Sequence, residues 1–130
     1  MLEANKYSYK TLKVYQNAKS FVIEVYRLLQ GFPVEERYAL CDQVRRAAVS
    51  VTSNIAEGVS RISNKEKVHF LEIAYASLKE VDSQMDISVD LGYITTDQYK
   101  ELEKQVNEIG RQLSNLRSRY VSGIQTSTQP

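Results

Sequence analysis

The sequence predicts an all-α fold, specifically an antiparallel up-down-up-down four-helix bundle, and three observations lead there. Apolar residues recur at steps of three and four over four separate stretches, which places them on one face of a helix each. Punctuation is sparse. The chain has two prolines and five glycines in 130 residues, most of them where those stretches break, as helix stops require. Finally, 42% hydrophobic and 25% charged residues over this length suit one domain with one core, rather than two domains or a disordered chain.

The first helix is expected from about Thr11 to Gln30, with Leu12, Tyr15, Ala18, Val22, Val25 and Leu29 as its stripe and Gly31-Phe32-Pro33 as its stop. Phe21, Tyr26 and Leu28 fall off that stripe. The second begins near Val34 to Glu36, where acidic side chains suit the positive end of the helix dipole, and ends at about Glu57 before Gly58. Its stripe is Cys41, Val44, Ala48, Val51 and Ile55. The run Val49-Ser50-Val51-Thr52 favours a strand locally, but the flanking period is longer and prevails.

The third helix opens on Ser63-Asn64-Lys65-Glu66, a capping box in which the serine oxygen and the glutamate carboxylate each take a backbone N–H. It continues through Leu71, Ala74, Leu78, Val81 and Met85 to about Leu91-Gly92. Thr95-Thr96-Asp97-Gln98 opens the fourth in the same way, with Tyr99, Leu102, Val106, Ile109, Leu113, Leu116 and Tyr120 as its stripe. Short turns make successive helices antiparallel neighbours. The bundle then spans 11–122, between an N-terminal extension, 1–10, and an uncharged tail, 123–130, that is expected to be disordered.

Several function classes receive no support. No apolar run approaches the roughly 20 residues of a membrane span, and Met1 to Lys10 lacks the apolar region of a secretory signal, so no membrane partner and a cytoplasmic location are expected. Cys41 has no cysteine to pair with and reads as a small core residue. Glu66-Lys67-Val68-His69 matches the E-x-x-H pattern of di-iron bundles. Such a site needs two of these motifs, whereas His69 is the sole histidine and should face outward. No phosphate loop, cysteine ligand pair or serine with a histidine base can be assembled. The expectation is therefore no catalytic, metal or cofactor site, no small-molecule substrate, and no enzyme activity.

Two surface features remain. Phe70, Ile73, Ser77, Glu80, Gln84 and Ile87 form a second set at heptad spacing beside the core stripe of the third helix. With Phe21, Tyr26 and Leu28 this is more apolar surface than one bundle buries; it either widens the core face or marks self-association in a closed symmetric ring or dimer. Along the second helix runs a polar seam of Arg46, Ser50, Ser53, Asn54, Glu57 and Arg61, which reads either as an interhelical seam with Arg46 and Glu57 satisfied by neighbouring helices, or as a partner surface. The net charge of +1 is unevenly spread. Lys13, Arg45, Arg46, Arg61 and Lys65 are the candidate contacts to RNA or DNA.

The segments Gln43-Val44-Arg45-Arg46-Ala47-Ala48-Val49-Ser50-Val51 and Ser53-Asn54-Ile55-Ala56-Glu57-Gly58 closely resemble the signature of the bacterial S23-type proteins, first noticed as reading frames inside intervening sequences of 23S ribosomal RNA genes. Leu12-x-Val14-Tyr15-Gln16-x-Ala18, Phe32-Pro33-x-x-Glu36-x-Tyr38, the run from Ser63 to Glu80, and Leu91-Gly92-Tyr93 extend the likeness over about residues 9 to 120. Thr52, where the family often has proline, and Val81-Asp82 depart from it. The resemblance implies a four-helix bundle that forms rings, pentamers in particular. It also points to a related branch, the accessory proteins of diversity-generating retroelements, which bind nucleic acid and a reverse transcriptase. The preferred reading is a homo-oligomeric interaction scaffold; the alternative is an RNA- or DNA-binding oligomer using basic patches on helices one, two and four.

Overall fold

The structure, a computed structural model, describes residues 8–128, with side chains through Ile124. Four helices make up nearly all of it: α1 (Lys13–Leu29), α2 (Leu40–Val59), α3 (Asn64–Asp90) and α4 (Thr96–Thr128), with single 3-10 turns at Tyr9–Thr11 and Val34–Glu36. Each helix packs against its neighbours in sequence and α4 returns to α1, which closes a square whose diagonal helices do not approach closely by backbone among the described residues. The directions alternate. Ser50 of α2 meets Ser77 of α3, Glu72 and Asp82 of α3 meet Arg117 and Tyr99 of α4, and Asn17 of α1 meets Gln112 of α4.

Caps explain where the helices start and stop. Thr95 and Gln98 form the complete reciprocal box, each side chain taking the other's backbone N–H at 3.0 and 2.9 Å. At α3 only half of the box forms: Ser63 Oγ accepts from the Glu66 amide at 3.1 Å, and the Glu66 carboxylate turns to Arg61 instead. Gly92, at φ +78°, closes α3 in the left-handed conformation that glycine adopts without strain. The Tyr93 amide then reaches the Ser88 carbonyl and the Gly92 amide the Val89 carbonyl, so two end carbonyls are satisfied.

Three boundaries differ from the sequence expectation. Val34–Glu36 forms only a 3-10 turn, because Ala39, at φ −116° and ψ −102°, breaks the helical path and α2 starts at Leu40. Gly58 does not end α2; it is buried in the last turn, where an added Cβ would lie 3.0 Å from Phe70 Cβ and 3.3 Å from the Lys67 carbonyl oxygen. Past Gly123, α4 runs on to Thr128, so the chain there is helical rather than a disordered tail beginning at 123. A single glycine costs a helix only about 1 kcal/mol, and no proline intervenes before Pro130. Residues 1–7 of the expected extension and 129–130 of the expected tail lie outside the described residues.

The core follows the predicted stripes on α2, α3 and α4 closely. On α1 it rotates: Val14, Ala18, Phe21, Val25 and Leu29 are buried, while Tyr15 and Val22 are only partly covered. Phe21, expected outside the core, is fully buried in it. At one end of the bundle Phe32 packs on Tyr93, ring centroids 5.2 Å apart, and the Tyr93 hydroxyl donates to Glu36 at 2.8 Å. That bond holds the hydroxyl proton and raises the Tyr93 pKa. No helix of the described residues is long and apolar enough to cross a membrane.

Candidate interaction face

Along the α2–α3 seam Ser50 meets Ser77, and Gly58 of α2 presents bare backbone to Phe70 and the Lys67 carbonyl of α3. Small side chains let two helix backbones come close. The seam closes with Ser50 Oγ and Ser77 Oγ at 2.8 Å, and with the Asn54 amide donating to the Ser50 carbonyl and hydroxyl oxygens at 2.8 and 3.0 Å. The expected polar seam on α2 and the expected second face of α3 are therefore two edges of one outer surface.

Of the α3 set, Ser77 and Gln84 are buried at 8% exposure each. They belong to the monomer's own packing rather than to open surface, because their spacing carries them into the angle between α2 and α3. Ile73 at 36% and Ile87 at 50% stay exposed on either side, together with Glu80; Phe70 is half-buried under the Arg61 guanidinium, 4.7 Å from its ring centre. Gln84 donates to Glu80 at 3.2 Å, but its Oε1 has no hydrogen-bond partner among the described residues. A buried acceptor left unpaired costs about 1–3 kcal/mol.

Neither Arg46 nor Glu57 is paired with a neighbouring helix, contrary to one of the two readings of the sequence. Arg46 pairs with Asp42 one turn earlier on α2 at 3.1 Å, and Glu57 with Arg61 of the turn that follows α2 at 2.7 Å. Ser53 is exposed on the same edge. The five candidate nucleic-acid contacts do not form one patch. Arg45 and Arg46 share Asp42 towards the start of α2, Arg45 also donating to the Arg37 carbonyl at 2.8 Å, and Arg61 is held by Glu57 and Glu66. Lys13 and Lys65, at the same end of the bundle as Arg61 and away from Arg45 and Arg46, have no carboxylate within 4.0 Å among the described residues.

Two residues that the sequence reading did not single out, Ile23 and Val49, join Val22 and Tyr26 in lining an apolar groove of about 510 Å³ between α1 and α2. Their signal was faint: each is a single large apolar residue opposite its helix's own stripe. Cys41 is buried at the foot of the neighbouring hollow, and burial pushes its thiol pKa up against the pull of Arg45. His69 is exposed, its ring edge-on to Phe70. Among the described residues no three His, Cys, Asp or Glu side chains are grouped to hold a metal.

The sequence model of the family described as 23S rRNA-intervening sequence protein matches residues 10–115, from the 3-10 turn before α1 to the middle of α4. The chain belongs to this family. A crystal structure of a protein of unknown function from the S23 ribosomal protein family of Bacteroides thetaiotaomicron superposes with a TM-score of 0.70 at 23% identity, covering 80% of this chain and 97% of that one. That likeness concerns the fold. No curated protein matches the chain. What this chain and that crystal structure share is thus the bundle, and both signature segments on which the resemblance rests lie on α2, partly in its core face and partly on its outer edge.

Proposed function

We propose that the protein is a non-enzymatic interaction scaffold that assembles with copies of itself, using the outer α2–α3 surface as one half of each contact. The observation behind this reading is the pattern on α3: Ile73 and Ile87, two large apolar side chains, stand exposed along one face of the helix at 36% and 50%. Large apolar side chains left exposed on one helix face are what a second subunit covers, burying the isoleucines.

The apolar groove of Val22, Ile23, Tyr26 and Val49 is the matching half. It lies on the next side of the four-helix square, and two different surfaces that meet each other build a ring when the rotation closes. Adjacent sides of a square bundle stand at about a right angle, which closes after roughly four or five copies. The pentamer implied by the family resemblance fits that geometry.

Sedimentation of the purified protein and of Ile73→Lys/Ile87→Lys tests this. The parent should sediment as a closed oligomer at micromolar concentration and the double variant as a helical monomer. A parent that stays monomeric when concentrated contradicts the proposal.

A further inference from the structure

The near-zero net charge conceals a separation along the bundle axis. Cut at the level of the Ser50–Ser77 contact, the half in which α1 and α3 begin and α2 and α4 end (residues 8–20, 51–77 and 109–124) has nine Lys and Arg against three Asp and Glu, a net of +6. The other half (21–50 and 78–108) has seven against twelve, a net of −5. Residues 8–20 and 109–124 contain no acid at all; they are stretches of α1 and α4 that face each other, with Glu108 at their edge accepting from Asn17 at 3.4 Å.

There the α1–α4 groove widens into a hollow of about 320 Å³. Lys13 and Arg119 stand at its sides, Gln112 and Asn115 add amides, and Val14 and Leu116 form an apolar floor. Neither cation has a carboxylate within 4.0 Å among the described residues. Asn17 donates to Gln112 Oε1 at 3.0 Å, which fixes the orientation of that amide and turns its N–H groups away from Asn17. Two free cations and two amides with donors to spare are the chemistry of a phosphate oxyanion cradle, and the floor suits a sugar or base edge beside the phosphate.

One phosphate occupies two cations, yet the same half continues with Lys10, Lys65 and Arg111, all exposed and likewise unpaired among the described residues. Unpaired cations repeated over one end of the bundle match a ligand with several phosphates rather than one. We propose that the basic half of the α1–α4 groove, with Lys13, Arg119, Gln112 and Asn115 at its centre, binds the phosphodiester backbone of a nucleic acid. The site lies within one chain and on the side of the bundle opposite the α2–α3 surface, so it does not rest on self-assembly; in a ring it repeats and gains avidity.

Fluorescence anisotropy with a labelled single-stranded RNA of mixed sequence, titrated over a range of salt, tests the proposal on the full chain. Lys13→Glu/Arg119→Glu should weaken binding by about tenfold or more and lower the slope of log affinity against log salt by about 2. Lys79→Glu/Lys104→Glu changes the net charge equally at the acidic half and should weaken binding less than about twofold. The isosteric pair Gln112→Glu and Asn115→Asp should reproduce the loss while circular dichroism and sedimented mass stay unchanged. No binding at low salt, or equal losses from the two lysine-containing variants, overturns the site. A nucleoside monophosphate that binds as tightly as the RNA overturns the polymer assignment.

Discussion

The seam between α2 and α3 and the seam between α1 and α4 run along opposite sides of the same square and are built from opposite materials. The first uses Ser50, Ser77 and the bare backbone of Gly58, so the backbones close up, and the large side chains of α3, Ile73 and Ile87, are left standing outside. The second uses Lys13, Asn17, Gln112 and Arg119, whose length holds open a polar groove. Small residues at a helix contact therefore produce an apolar exterior, whereas long polar residues produce a wet interior to the groove. One side is suited to a protein surface and the other to a charged chain.

The largest expected effect breaks the close seam. Gly58→Val places a branched side chain against Phe70 Cβ and the Lys67 carbonyl, and should destabilise the fold by about 3 kcal/mol in chemical denaturation, since the contact is with backbone as well as side chain. Next comes the bond joining the turn region of α4 to α3. The Tyr99 hydroxyl donates to Asp82 at 2.7 Å, and burial together with that carboxylate pushes its pKa up. Tyr99→Phe should cost about 1.5 kcal/mol at neutral pH. Because the folded state holds this proton more tightly than the unfolded state, the advantage of tyrosine is complete below the ordinary value of about 10 and shrinks as pH rises above it. Denaturation of parent and variant at neutral and alkaline pH checks the sign. The smallest effect sharpens the comparison by reversing it. A Cβ at Gly110, on the α3–α4 seam, would meet only Tyr75 and Leu78 side-chain atoms at 3.6 and 3.8 Å, so Gly110→Ala should stabilise by about 0.7 kcal/mol.

Periodicity and caps revealed the four helices because each acts locally: Ser63, Thr95 and Gly92 sit where their hydrogen bonds require. The α1 stripe was misjudged for a global reason. Both Phe21 and Val22 continue a three-and-four pattern from Ala18, and only the position of α4 decides which of them faces inward. The α2 start was missed because a 3-10 turn and an α-helix share residues such as Glu35 and Glu36, and the break at Ala39 leaves no mark in composition. The polar seam and the heptad set of α3 were legible one by one, but their union through Ser50 and Ser77 depends on which helices adjoin. The pairing of Lys13 with Arg119 was hidden for the same reason, as these residues lie more than a hundred positions apart.

Isoleucine methyl NMR during dilution tests the assembly surface most directly, because the chain's isoleucines sample every environment in question. Ile73 and Ile87 should shift or broaden as the oligomer dissociates, with Ile23 in the facing groove moving alongside them, while Ile62, fully exposed at the α2–α3 turn, and buried Ile109 hold still. Methyl signals that are all invariant on dilution, or an Ile62 signal that moves as far as Ile73 and Ile87, would contradict the account.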